Sequence, residues 1–328
     1  VSGGDGRRDG LAPELSGVVV HWRDEAGLAA LVAAWPRDPR FELVVVDNGS
    51  ESPLPDLPEG VWGSVVAPDT NLGFAGGANR GVGAARAPLV LLLNPDARPE
   101  PGALEALLAG FAAHPEAAGL VPCLAGERGE PQAAWQLKPL PGPARLALEA
   151  LFLPAVHGPR REPPAGTPVE QPAAAALALR RSDWDAVGGM DAGFYPAWFE
   201  DVDLARRLHA AGRRLLYWPG ARFRHGLGST VPLLGFRSFL WLYYRNLTRY
   251  LAKHHGRGWA GAARLLLVVG MKLRLALLPL RRPRRARSRR DAARGLAAVA
   301  AGAATGWRSP ADLCARWFPP GTEEDGGG

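Results

Sequence analysis

Short continuous apolar runs alternate with amphipathic stretches through the first third of the chain. Residues 17–22, 41–46 and 61–67 are apolar or β-branched, and 89–93 reads Leu-Val-Leu-Leu-Leu. Each run has the length of one strand. Between them, 25–35 and 76–86 suit helices, and 99–113 opens with proline, which favours a first helical turn. This alternation predicts an α/β architecture with a mostly parallel central sheet flanked by helices. Runs that are apolar at every position fit strands buried on both faces.

The texture changes over 126–172, where Pro and Gly recur, periodicity weakens, and 159–164 reads as an exposed linker or mobile loop. Strand-like sequence resumes at 174–179, a helix is expected over 200–211, and strands over 213–218 and 221–225. Beyond Leu234 the pattern is helical almost to Phe318. The expected organisation is a disordered tail over 1–16, a catalytic domain over 17–233, a helical C-terminal region over 234–318 and a disordered tail over 319–328. Within the catalytic domain, 126–172 is expected to form an acceptor-side loop.

Composition narrows the class. The 328 residues are 47% hydrophobic and 22% charged, as in a folded protein with ample core. Cys123 and Cys314 are far apart and lack metal-ligand spacing, so plain thiols in a reducing compartment are expected. The first 16 residues lack the apolar core of a signal peptide. No uninterrupted apolar run reaches the roughly 18 residues of a membrane span. The net charge of +7 is concentrated in seven arginines within 281–290. That cluster faces nucleic acid, an anionic membrane or solvent. It has no interleaved aromatics, so nucleic acid is not an expected partner.

Carboxylates punctuate the pattern. Asp47 ends an apolar run and precedes Asn48-Gly49-Ser50, a place where open parallel sheets bind ligands. It either accepts hydrogen bonds from a nucleoside or caps the following turn. The segment 71–79, with Asn71, Gly73, Gly76 and Asn79, is a Gly-rich entry to a helix. It lets backbone approach an anionic ligand, or it serves helix packing. Asn94-Pro95-Asp96 follows the fourth run. Asp96 suits a hard divalent cation on a diphosphate, or it opens a turn. Glu200-Asp201 begins a helix after the aromatic segment 194–199. These carboxylates, with Asp203, serve a base that deprotonates a hydroxyl, or complement the helix dipole. Asp201 is the preferred base and Asp203 the preferred structural residue. His225 offers an imidazole to metal or phosphate, or is structural.

The ordered set VVVDNGS, NLGFAGGANRG, LLLNPDA and GGMDAGFYPAWFEDVDLARRLHAAG, followed by His225, resembles the family-2 glycosyltransferases, especially their rhamnosyltransferase-like branch. The resemblance spans 17–229 and implies a GT-A fold and an inverting single displacement from a nucleoside diphospho-sugar. It implies that Asp47 contacts the nucleoside, with Asn71, Gly73, Gly76, Asn79, Asn94 and Glu200 around the nucleotide-sugar. Asp96 matches the metal-binding carboxylate of the D-x-D motif, His225 a metal-proximal histidine and Asp201 the base. Mg²⁺ or Mn²⁺ is therefore the expected cofactor. Asn94 replaces the first Asp of a full D-x-D motif, and His21 stands where the branch often has Asn. The Q-x-x-R-W motif of processive synthases is absent, which favours single addition.

The expected reaction moves one sugar, with rhamnose from a dTDP donor as the expected case, to a lipid-linked or cell-surface polysaccharide acceptor. The alternative is a catalytically silent nucleotide-sugar-binding scaffold of a polysaccharide assembly complex. Over 264–280, Leu266, Val269, Leu273, Leu277 and Leu280 share a helical face, with Lys272 and Arg274 interrupting the run. This predicts an in-plane helix on an anionic membrane, peripheral on the cytoplasmic face, or else a helix packed on the catalytic domain.

Overall fold

The computed structural model describes residues 12–50, 54–151, 158–159, 161–226, 234–280, 283 and 286–307. Ten strands are described: β1 Leu15–His21, β2 Phe41–Asp47, β3 Gly63–Val66, β4 Leu89–Leu93, β5 Ala97–Pro99, β6 Ala117–Ala125, β7 Leu137–Lys138, β8 Gln171–Pro172, β9 Ala176–Arg180 and β10 Arg214–His225. Eight of them form one sheet in the order β3-β2-β1-β4-β9-β6-β10-β5. The pairs β2/β3, β1/β2, β1/β4 and β6/β10 are parallel. The pairs β4/β9, β6/β9 and β5/β10 are antiparallel, so the sheet is mixed.

Every residue of β1, β2, β4 and β6 is buried. Alternate residues serve opposite faces, as the strand period requires. Val19, Leu43, Val45, Leu91 and Leu93 pack with helices α1 (Glu25–Ala34) and α3 (Ala103–Ala113). Val18, Val20, Val44, Val90 and Leu92 pack with α2 (Gly73–Ala84) and α7 (Glu200–Ala210). The glycines of α2 set its distance from the sheet. A Cβ at Gly77 would lie 2.7 Å from Val20 Cγ1, so the close approach needs glycine.

The structure revises several expected elements. The helix expected from residue 99 starts at Ala103, because 97–99 pairs with β10 as an edge strand. The two strands expected over 213–225 are one strand with a register shift between Trp218 and Arg222. The central strand β6 was not expected at all. Ala-rich sequence and Pro122 give it little strand character, and Pro122 sits where the register shift begins. The stretch 126–172 is not wholly irregular: it holds α4 (Ala133–Gln136), the β7/β8 pair and α5 (Pro143–Leu151). A short helix, α6 (Arg181–Ala186), follows β9. The expected tail over 319–328 lies outside the described residues, and β1 begins inside the expected tail over 1–16.

Helices α8 (Phe236–His255), α9 (Arg257–Leu277) and α10 (Arg289–Thr305) pack on one another, and α8 and α9 also pack on α5. Their core joins Leu247, Tyr250, Leu251, Leu267, Met271 and Val299 to Phe194 and Phe199 of the loop before α7. The helical region therefore buttresses the segment that leads into Glu200 and Asp201. No helix among the described residues is long and apolar enough to cross a membrane.

Candidate active site

The parallel register aligns His21 with Asp47 and Val19 with Leu93, so β1, β2 and β4 end at the same edge of the sheet. A cavity of about 270 Å³ opens beyond that edge. Val20, Trp22, Asn48 and Asn71 line one part. Asn94, Asp96, Trp135 and His225 line another, and Ala174, Trp198, Glu200 and Asp201 a third. Five expected site residues outside the helix α7 start therefore reach one cavity: Asn71, Gly73, Asn94, Asp96 and His225.

Three others do not line it. Asp47 Oδ1 accepts from the Ser50 backbone N–H at 3.1 Å and Oδ2 from that of Leu54 at 3.2 Å. Its carboxylate thus caps the turn, while the adjacent Asn48 faces the cavity. The Asn79 side chain donates to Met190 O (2.7 Å) and accepts from Met190 N (2.9 Å), tying α2 to the loop before the 192–194 turn. Gly76 packs against Leu72 within the first turn of α2. In this structure the three make contacts of turn capping, loop anchoring and helix packing.

Asn48 organises the glycine-rich segment. Its Nδ2 donates to Asn71 Oδ1 and Gly73 O, both at 3.1 Å, and its Oδ1 accepts from Leu72 N at 2.8 Å. Gly73 has φ +69°, and a Cβ there would lie 2.8 Å from Pro196 O. Phe74 N donates to that same oxygen at 2.7 Å. Glycine here joins two walls of the cavity. His21 is fully buried, with Nε2 accepting from Asp24 N (3.3 Å) and Nδ1 beside Ser50 Oγ (3.2 Å). It holds the turn together.

The β5/β10 pairing places His225 opposite Ala97, next to Asp96. His225 is 2% exposed, and burial lowers its pKa to about 4, so the ring is neutral at pH 7. Gln132 Nε2 donates to His225 O at 2.9 Å, which turns Gln132 Oε1 toward His225 Nδ1 at 2.8 Å. The proton of the neutral ring therefore sits on Nδ1, and Nε2 carries the lone pair. That lone pair is 3.5 Å from Asp96 Oδ1. Two acceptors so placed are not a charge pair; their atom types are those that could hold a cation. Trp135 stacks on the His225 ring at 5.2 Å and 30°. Among the described residues no third His, Cys, Asp or Glu joins them, so a bound metal would draw its remaining oxygens from ligand and water.

Glu200 and Asp201 enter the cavity from the first turn of α7. Glu200 is buried, and desolvation, then the charge of Asp201, push its pKa well above the usual carboxylate range. Desolvation also raises Asp201, while Lys138 and the backbone N–H of Val202 oppose the shift. Burial thus makes both carboxyl groups harder to ionise than a free carboxylic acid. Trp198 and Phe199 precede them with φ of +76° and +72°. This left-handed backbone is held by Asn246 of α8, whose Nδ2 reaches Phe194 O and Ala197 O at 2.9 Å and Trp198 O at 3.1 Å. Sequence reading missed Gln132, Trp135 and Asn246. The available signals were a tryptophan in a Pro/Gly-rich stretch and an amide inside a hydrophobic helix.

Residues 25–161 match the family model described as Glycosyl transferase family 2. The chain is 28% identical over 290 residues to an N-acetylglucosaminyl-diphospho-decaprenol L-rhamnosyltransferase of Mycobacterium tuberculosis, represented by two strains. That alignment covers 81% of this chain and 92% of the relative. Among solved structures, GalNAc-T7 with UDP, GalNAc and Mn²⁺ superposes with a TM-score of 0.51 at 16% identity, over 76% of this chain and 52% of that one. Fold and family match together define a glycosyltransferase of GT-A architecture. The match to the family-2 glycosyltransferase model falls within the sheet-bearing part of the chain, and a mycobacterial rhamnosyltransferase is among the proteins it is similar to.

Proposed function

We propose that this enzyme transfers one rhamnosyl unit, with inversion, from a dTDP-linked donor to a hydroxyl of a lipid-diphosphate-linked acceptor. The observation that carries the reading is the convergence of Asp96, His225, Glu200 and Asp201 on one cavity. The choice of sugar and acceptor rests on the relative, whose name specifies rhamnosyl transfer to a diphospho-decaprenol.

In this reading the nucleoside lies toward Val20, Trp22 and Asn48, and the diphosphate reaches Asp96 and His225. A bound Mg²⁺ or Mn²⁺ supplies charge neutralisation for the departing diphosphate. Asp201 accepts the proton of the acceptor hydroxyl as its oxygen attacks the anomeric carbon and the bond to the diphosphate breaks. Buried Glu200 lies beside the base, where burial and the neighbouring charge both favour its protonated form. Trp135 and Trp198 supply flat apolar surface for a sugar face.

We further propose that the enzyme docks peripherally on an anionic membrane through α9. Leu265 (65% exposed), Leu273 (48%), Leu277 (49%) and, just beyond the helix, Leu280 (84%) lie open to solvent. The opposite face, with Ala263, Leu267 and Met271, is buried in the helical region. Compared with the expected stripe, Leu265 takes the place of Leu266, which is half-buried. Exposed Lys272 and the arginines at 287, 289 and 290 supply the matching charge.

The test is a donor panel assayed with a synthetic polyprenyl-diphosphate-linked amino sugar, and product stereochemistry read by NMR. Transfer from dTDP-rhamnose with inversion is expected. Transfer only from another donor, or with retention, overturns the reading.

A further inference from the structure

A second hollow, of about 460 Å³, lies among the C-terminal helices and shares no lining residue with the first. Its wall carries Arg245 and Arg249 from α8, Arg257 and Arg264 from α9, and Thr248 and Trp307. The floor is made of small residues, Ala252, Ala260 and Gly261, which leave the space that the long arginine stems surround. A Cβ at Gly261 would meet nothing within 4 Å.

Among the described residues, four guanidinium groups line this hollow and no carboxylate does. Arg245 and Arg249 are one helical turn apart, a spacing at which like charges disfavour the helix. The fold orients Arg245, Arg249 and Arg264. Arg245 Nη1 donates to Tyr195 O at 3.2 Å. Arg249 Nη2 is 3.6 Å from Asp191 Oδ1, with its guanidinium 5.5 Å over the Phe194 ring. Arg264 Nε donates to Ala303 O at 2.7 Å, near the end of α10. Pre-oriented planar forks around a hollow suit the oxygens of a phosphoryl group.

We infer that this hollow binds a phosphate or diphosphate group, separately from the sugar-nucleotide cavity. Two sources carry that chemistry: the headgroup of an anionic phospholipid, or a free diphosphate. Leu265, the first residue of the exposed α9 stripe, follows Arg264 directly, so the hollow borders the face that we place on lipid. The inference itself does not rest on the sugar transferred, and a chain inactive with every donor still tests it.

The experiment is calorimetric titration of the full chain with inorganic pyrophosphate in EDTA. Three variants are compared with wild type: Arg257→Gln, Gly261→Phe and Asp96→Ala. Arg257 is exposed at the start of α9 and Gly261 has open space, so melting temperatures near wild type are expected for both. Pyrophosphate affinity should fall about tenfold in Arg257→Gln, the loss of one charged hydrogen bond. It should fall further in Gly261→Phe, which fills the hollow, and stay unchanged in Asp96→Ala. Flotation with phosphatidylglycerol or phosphatidylcholine vesicles then separates the sources. A headgroup ligand predicts that Gly261→Phe weakens retention on phosphatidylglycerol alone and that pyrophosphate competes. A free diphosphate predicts unchanged retention with the same loss in titration. Wild-type affinity in both hollow variants, loss in Asp96→Ala instead, or no binding by the wild type overturns the site.

Discussion

His254 Nε2 lies 2.7 Å from Asp203 Oδ1, joining the end of α8 to the helix that presents Glu200 and Asp201. Lys253 Nζ reaches the same oxygen at 2.7 Å, and Arg207 Nε reaches Oδ2 at 2.8 Å. Asp203 is fully buried, which by itself raises a carboxyl pKa, yet these three partners outweigh burial and hold it at about 2. The helical C-terminal region thereby fixes the angle at which α7 enters the cavity.

A depressed carboxyl stabilises the fold above its unfolded pKa and loses that contribution as pH falls toward the folded value. Asp203 should therefore contribute about 2 kcal/mol at neutral pH, declining from about pH 5 downward. Urea unfolding of wild type and Asp203→Asn should show a gap at pH 7 that narrows toward pH 3. A gap independent of pH would assign the stability to packing instead.

Asp201→Asn keeps the shape of the side chain and removes its proton-accepting oxygen. A rate loss of roughly 10²–10⁴ at unchanged donor affinity is expected. Because desolvation raises Asp201, the acidic limb of the wild-type rate profile should lie above the ordinary Asp value of about 3.9. Turnover close to wild type in the variant would remove Asp201 from the base role.

Gln132 fixes the tautomer of His225 without itself lining the cavity. Gln132→Ala should weaken Mn²⁺ affinity about 10- to 100-fold in the presence of a nucleoside diphosphate. Asp96→Ala should lower diphosphate affinity far more with Mn²⁺ than in EDTA. Paramagnetic resonance of free Mn²⁺ reads the first and calorimetry the second. Equal losses with and without metal would make Asp96 a metal-independent residue.

On the face proposed to meet lipid, Leu273→Asp with Leu277→Asp places charge on exposed positions of α9 and leaves its buried face intact. Retention on anionic vesicles should drop while the melting temperature holds. Unchanged pelleting at low and high salt would show that this face does not meet lipid.

Glycines in α2 make a paired test of packing. Gly77→Ala forces a Cβ to within 2.7 Å of Val20 Cγ1 and should destabilise by about 1–3 kcal/mol. Gly83→Ala meets nothing within 4 Å and should stabilise by about 0.5–1 kcal/mol. Thermal denaturation checks both signs, and equal shifts would contradict the close contact between α2 and β1.

The sequence by itself determined β1, β2 and β4, because their apolar runs are unbroken, and α7, whose acidic first turn precedes an amphipathic stretch. It also set the chain order of the carboxylates at the ends of these elements. Tertiary structure alone decided which of them meet. Asp96 meets His225 only through β5, a three-residue strand with no pattern of its own until β10 pairs with it. β6 is a strand because its neighbours supply partners for an Ala-rich run containing Pro122, against its local preference. Asp47 bonds the backbone of its own turn, whereas Asn79 bonds Met190, 111 positions away, a contact that only the tertiary structure makes. Gln132 and Asn246 act on residues 93 and about 50 positions away in the chain. Periodicity reports contacts within one element, whereas a cavity wall is made from contacts between elements, and no local pattern encodes those.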